Sequence, residues 1–209
     1  MDLEYAGLKL SIPDDVYPPA EDSFMLADAA KSVHGKVLEI GCGSGIASLA
    51  CAKANPKTRV LGVDINSEAV KCARENAKRN GIANAEFIVS DFFSNVPKPA
   101  NDALGFDAIL FNPPYLPTEY NEKLEGPLNE AFDGGNDGRK MLDPFLDRFD
   151  PYLKPGGTLL LVQSSLNGPK KTKTKLERLG YKVGIASRQD FFFESVFIYQ
   201  AVKPSMARK

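Results

Sequence analysis

Histidine and cysteine are scarce in this chain: one His and three Cys among 209 residues. Cys42, Cys51 and Cys72 are an odd number and lack the paired spacing of a metal knuckle. With His34 as the lone imidazole they make neither a zinc site nor a disulfide framework. They read as small packing residues of a protein kept in a reducing cytoplasm. Long hydrophobic runs are also missing. No stretch approaches the roughly 20 apolar residues of a membrane span, and the acidic start "MDLEYAGLKLSIPDDVYPPAEDS" has no apolar h-region, so no signal peptide is expected. Nor is there an excess of charge of one sign. Lys and Arg number 26 against 27 Asp and Glu, a net charge of -1, which argues against direct nucleic-acid binding.

What remains is an ordinary globular composition, 43% hydrophobic and 25% charged, with no internal repeat and no domain boundary. The length suggests one domain over residues 1–209. Apolar spacing predicts a helix over 20–33, with Phe24, Leu26, Ala27, Ala30 and Val33 on its inner face. Strands follow at 37–40, 59–63, 86–89 and 106–111, a fifth at 158–162, and two more at 181–186 and 194–202. Helices fall between them at 46–54, at 66–81, at 137–152 and at 168–179. The third of these predicted helices, 137–152, follows a long loop over 116–136. In "INSEAVKCARENAKRNG", Asn66 or Ser67 caps the start and Gly81 closes the end. Strands alternating with helices predict a doubly wound parallel α/β sheet. The final two strands are too close for a crossover helix and must pair antiparallel.

Ligands in such sheets bind at the carboxyl ends of the strands. After the first predicted strand stands "LEIGCGSG", with Gly41, Gly43 and Gly45. The spacing is not that of dinucleotide binders, and Glu39, two residues earlier, suits an ammonium group better than a pyrophosphate. Asp64 ends the second strand, where an acid accepts from ribose hydroxyls. Asp91 ends the third, where an acid accepts from an adenine amino group and Phe92 lies against the ring. Each signal alone is a turn or a cap; three in order on successive strand ends point to an adenosine-type cofactor.

The fourth predicted strand runs into "FNPPYLP". An amide side chain followed by two prolines is more than a turn needs. A planar amide or amino nitrogen is a poor nucleophile, and an enzyme activates it by accepting hydrogen bonds from both N–H groups. Asn112 offers a side-chain carbonyl and Pro113 a main-chain one. Each is followed by a proline, which keeps it out of the helical region. Tyr115 can wall the planar group.

Taken together these residues resemble the class I S-adenosylmethionine-dependent methyltransferases, over nearly the whole chain. The resemblance implies a Rossmann-like, doubly wound seven-stranded sheet with an antiparallel last strand. Residues 1–35 would cover the cofactor site and 36–209 would form the core. It assigns Glu39, Gly41, Gly43, Gly45, Asp64, Asp91 and Phe92 to S-adenosyl-L-methionine and Asn112, Pro113 and Tyr115 to substrate and catalysis. "DVYPPAEDSF" at 15–24, "NPPY" at 112–115 and "DGGNDGR" at 133–139 narrow the resemblance to the HemK-related glutamine methyltransferases, in their short archaeal and eukaryotic branch. Ser23 replaces that branch's threonine and keeps its cofactor-contacting hydroxyl. The implied substrate is the Gly-Gly-Gln glutamine of a class I translation termination (release) factor. The implied partner is a small zinc-binding activator, expected at the edge formed by the third strand, 86–89, with Phe92 and Phe93 just beyond.

A nucleic-acid adenine-N6 methyltransferase would share the NPPY chemistry but must flip its base out of a duplex. A non-catalytic cofactor-binding module would not need Asn112–Tyr115. "PKKTKTKLER" reads as a solvated helix face, and "DFFFESVFIYQ" as core of the terminal hairpin.

Overall fold

The computed structural model describes residues 1–101, 104–115 and 134–205. Most of the predicted loop 116–136 therefore lies outside the described residues. The chain opens on a hairpin that the helix-and-strand reading misses: β1 (Asp2–Tyr5) and β2 (Leu8–Ser11), joined at Ala6 and Gly7. Both turn residues have positive φ, the signature of a two-residue hairpin turn. There follow α1 (Glu21–Ala30), β3 (Lys36–Ile40), α2 (Ile46–Ala54), β4 (Arg59–Asp64), α3 (Ser67–Arg79), β5 (Ala85–Val89) and β6 (Phe106–Phe111). Then come α4 (Leu142–Arg148), a 3-10 turn at Asp150–Tyr152, β7 (Leu153–Ser164), α5 (Pro169–Arg178), β8 (Lys182–Asp190) and β9 (Ser195–Val202).

Seven strands form one sheet in the order β5-β4-β3-β6-β7-β9-β8. β5, β4, β3, β6 and β7 are parallel neighbours. β9 is inserted antiparallel between β7 and β8, so the predicted hairpin closes one side with its first strand outermost. Both faces are covered, and the strands are accordingly apolar at consecutive positions. Ala108, Leu110, Leu160, Val162 and Ile198 face the core under α1, α2 and α3. Ile109, Phe111, Leu159, Leu161 and Phe197 face the aromatic core of Phe93, Phe145, Phe149 and Tyr181.

The predicted helix over 137–152 is shorter than expected. Gly138 turns with φ +67 where a side chain would collide with the Tyr115 carbonyl, and Pro151 has no N–H to continue an α-helix. Beside that turn the buried Arg139 guanidinium donates to Asn167 O at 2.6 Å, Thr172 Oγ1 at 2.9 Å and Asp143 Oδ1 at 2.7 Å. The lysine-rich α5 is only partly a solvated face: Lys171 and Lys175 pair with Asp143 and Asp147 at 2.9 and 2.7 Å. The aromatic stretch divides. Phe197 and Tyr199 are core, but Phe191, Phe192 and Phe193 sit on the turn before β9 and are exposed, because a turn has no sheet face to bury them.

Candidate active site

The strand order reverses between β3 and β6, so the loops that leave their carboxyl ends diverge and open a crevice there. The pairing of Ile40 with Phe111 sets Gly41 beside Asn112. A cleft of about 390 Å³ lies at this point, lined by the loops after β3, β4, β5 and β6 and by Asp15, Tyr17, Pro19, Asp22, Ser23 and Leu26. It brings together all but one of the residues singled out from the sequence: Ser23, Glu39, Gly41, Gly43, Asp64, Asp91, Phe92, Asn112, Pro113 and Tyr115.

Gly45 is the one that does not line the cleft. With φ +83 it starts α2, and a Cβ there would come to 3.0 Å from the Cβ of Ala73, so it lets α2 and α3 approach. Gly43 is different. It also has positive φ, but a Cβ added to it would meet nothing within 4 Å.

Glu39 is buried at the floor. Its Oε2 accepts from the Ser48 main-chain N–H at 2.9 Å and from the Ser48 hydroxyl. Burial pushes its carboxyl up to about 8, against the bonds from Ser48, with the nearby Asp64 adding to the rise. The half-buried Asp64 uses Oδ2 to accept from Gly43 N at 2.9 Å and Oδ1 to accept from Asn66 N at 2.9 Å. It therefore braces the glycine loop and the start of α3. Asp91 is exposed at the rim, and Phe92 is buried against Phe111 with ring centroids 6.1 Å apart.

The residue that sequence reading undervalues is Asp22, which reads only as an acid in the first turn of α1. In the fold it is 5% exposed. Its Oδ2 accepts from Asn112 Nδ2 at 3.0 Å and its Oδ1 from the Ser23 N–H and hydroxyl at 2.6 and 3.2 Å. The Tyr115 phenol lies close to it. That phenol is raised well above its usual range, first by burial and then by the charges of Asp22 and Glu194. A carboxylate only accepts, so Asp22 fixes which end of the Asn112 amide faces it. The other end, Asn112 Oδ1, is buried without a hydrogen-bond partner. Asn76 is a second residue of this kind. It sits inside α3, donates to Ser44 O at 3.0 Å, and accepts from Ser11 N at 2.9 Å, tying the glycine loop to the N-terminal hairpin.

The β5 edge is outermost, as expected, and Val89 is 43% exposed on it. Phe92 and Phe93 are not part of an exposed patch, since both are buried in the aromatic core. Two β5 carbonyls are already engaged: Phe87 O accepts from Arg74 at 2.9 and 2.6 Å and Val89 O from Asn95 at 2.9 Å.

This strand order, with the last strand inserted antiparallel and the cleft at the reversal point, is the class I methyltransferase fold. Residues 31–191 match the family model of a methyltransferase domain. The chain is 49% identical over 202 residues to a putative protein N5-glutamine methyltransferase of Methanocaldococcus jannaschii, covering 96% of this chain and 98% of that one. It is 32% identical over 164 residues to human methyltransferase HEMK2, covering 75% of each. Among solved structures it is similar to a chain of the E. cuniculi Mtq2–Trm112 complex, responsible for methylation of the eRF1 translation termination factor. That match has a TM-score of 0.68 and 26% identity, and covers 90% of this chain and 99% of that one. The chain belongs to the methyltransferase-domain family, among relatives named protein N5-glutamine methyltransferases.

Proposed function

We propose that the protein methylates the side-chain amide nitrogen of a glutamine, the one in the Gly-Gly-Gln loop of a class I translation termination factor, with S-adenosylmethionine as donor. The observation that carries this reading is the buried, unpartnered Asn112 Oδ1. A buried acceptor without a donor is costly, and a substrate N–H in the cleft satisfies it.

The residues present fit the cofactor. Gly43 leaves open space beside the backbone and Glu39 offers a buried carboxylate. Glu39 receives the ammonium group. Asp64 accepts from the ribose hydroxyls. Asp91 accepts from the adenine amino group, Phe92 lies against the ring, and the Ser23 hydroxyl contacts the cofactor's amino-acid end. Gly41 and Gly43 let the backbone approach, and Gly45 sets the helix behind them. The segment over 15–26 closes one side of the cleft. The cofactor supplies an electrophilic methyl group on sulfonium sulfur.

The chain's own part is orientation. Asn112 Oδ1 accepts one amide N–H and the Pro113 carbonyl the other, which turns the nitrogen lone pair towards the methyl group. Both stabilise the positive charge that develops on nitrogen in the transition state. Tyr115, beside Asp22, walls the planar amide. A small zinc-binding activator protein docks at the β5 edge and displaces Arg74 and Asn95 from its carbonyls. Such an enzyme works in the cytoplasm; no helix among the described residues is long and apolar enough to cross a membrane.

The test incubates the protein, with and without a co-expressed activator, with radiolabelled cofactor and purified termination factor, and maps the label. Label on the loop glutamine is expected. Label on duplex DNA adenine, with none on the factor, would replace this reading with the nucleic-acid one.

A further inference from the structure

The turn between β8 and β9 carries two side chains that a folded chain has no reason to leave in water. Phe192 is 92% exposed and Phe193 85%, and no other large apolar side chain among the described residues exceeds 58%. Their rings meet edge to face at 4.6 Å, so they form one apolar knob rather than two loose side chains. Exposed aromatic clusters of this kind mark interaction sites.

The knob is held rigidly. Phe191 N donates to Glu194 O at 2.7 Å and closes the turn. Ser164 Oγ, at the carboxyl end of β7, donates to Glu194 Oε2 at 2.6 Å. Ser165 N donates to Ser195 O at 2.8 Å and Ser195 N to Ser165 Oγ at 3.0 Å. The charges beside it are paired with each other: Arg188 with Asp190 at 2.8 Å. The turn thus offers apolar surface in a fixed place.

That place is at the end of the sheet that carries the cleft. β9 runs antiparallel to β7, so its first residues lie at the carboxyl ends of the parallel strands, where Asn112 sits. Glu194 is close enough to Tyr115 for its charge to raise the phenol. A glutamine amide is only four bonds, about 5 Å, from its own Cα. For it to reach Asn112, its main chain must come to the mouth of the cleft, and the protein behind it must spread over this end of the sheet.

We infer that the Phe192–Phe193 knob is a docking point for the protein that carries the acceptor glutamine, taken up by an apolar surface of that protein next to the glutamine loop. The inference rests on the glutamine reading above. It gives the enzyme a means of selecting a whole protein, since the cleft itself sees only the amide and its nearest backbone.

The test compares the full chain, its Phe192→Ser/Phe193→Ser variant and its Phe192→Tyr/Phe193→Tyr variant, each with any activator needed, on full-length termination factor. For the serine variant KM for the factor rises about tenfold or more, with kcat, cofactor affinity and melting temperature unchanged. The tyrosine variant restores KM. If the parent methylates the factor and the serine variant does so with the same KM, the knob is not a docking point and the glutamine reading stands. If the parent leaves the factor unlabelled, the glutamine reading falls and this inference with it. Should the serine substitutions dissociate a dimer of the parent without changing KM, the knob binds a second copy of the chain and the inference is overturned.

Discussion

Asn112 and Asp22, 90 residues apart in sequence, meet through a 3.0 Å hydrogen bond from Nδ2 to Oδ2. The bond decides the direction of the amide, and so decides that the carbonyl oxygen rather than the NH2 group is the end left without a partner. It ties the N-terminal segment to the β6 loop.

Asn112→Ala removes the proposed acceptor and leaves the cofactor residues in place. Turnover should fall by about 10²–10³, by analogy with loss of one oxyanion-hole donor, while cofactor affinity measured by calorimetry is unchanged. Equal single-turnover rates for parent and variant would take Asn112 out of the reaction.

Asp22→Asn should lower kcat with little change in cofactor affinity, because an amide at position 22 no longer dictates the direction of the Asn112 amide. The loss should largely vanish when Asp22→Asn is made in the Asn112→Ala background. Additive losses in this double-mutant cycle would show that the two residues act separately.

Asp64→Ala has two consequences. The ribose loses charge-assisted hydrogen bonds of about 1.5–3 kcal/mol, and the glycine loop loses the anchor at Gly43 N. Cofactor affinity should drop and amide exchange at residues 41–45 should quicken. An unchanged affinity would remove Asp64 from the site.

Glu39 makes the stability of the cofactor-free protein depend on pH. Its folded carboxyl titrates near 8 against an ordinary value of 4.5. Between those values the folded state keeps a proton that the unfolded chain gives up, so stability falls as pH rises through that window. Glu39→Gln should flatten this part of the melting-temperature profile. An ammonium group bound beside Glu39 favours the ionised form, so cofactor binding below pH 8 should release a proton, seen as a dependence of the calorimetric enthalpy on the buffer's own ionisation heat. Identical profiles for parent and Glu39→Gln would contradict the assignment.

A charge at the β5 edge should repel a strand or an apolar partner. Val89→Asp is expected to abolish co-purification of the activator without lowering the melting temperature of the isolated chain. Retained co-purification would move the partner to another surface.

The sequence by itself determined the order of elements from α1 onward, because those strands and helices are marked locally. The strands are short apolar runs, and β3 and β4 stop at a glycine and an acid, Gly41 and Asp64. Helix α3 shows its Asn66 cap, where the side chain accepts from Glu68 N at 2.9 Å, and its Gly81 stop at φ +65. It also singled out polar residues at or near the ends of the first four sheet strands, Glu39, Asp64, Asp91 and Asn112, and the fold brings these four to one cleft. The opening hairpin escaped that reading: Leu3, Tyr5, Leu8 and Leu10 alternate around Ala6-Gly7, but each strand is only four residues long. The tertiary structure alone decided how these pieces meet. No local pattern reveals that Asp22 lies against Asn112, that Asn76 holds the glycine loop, or that Arg139 is buried under α5, because each is a polar side chain whose partner is far away in sequence. The exposure of Phe192 and Phe193 belongs to the same class. Aromatic residues next to a strand look like core from sequence, and only the course of the turn beyond the ends of β8 and β9 leaves them in water.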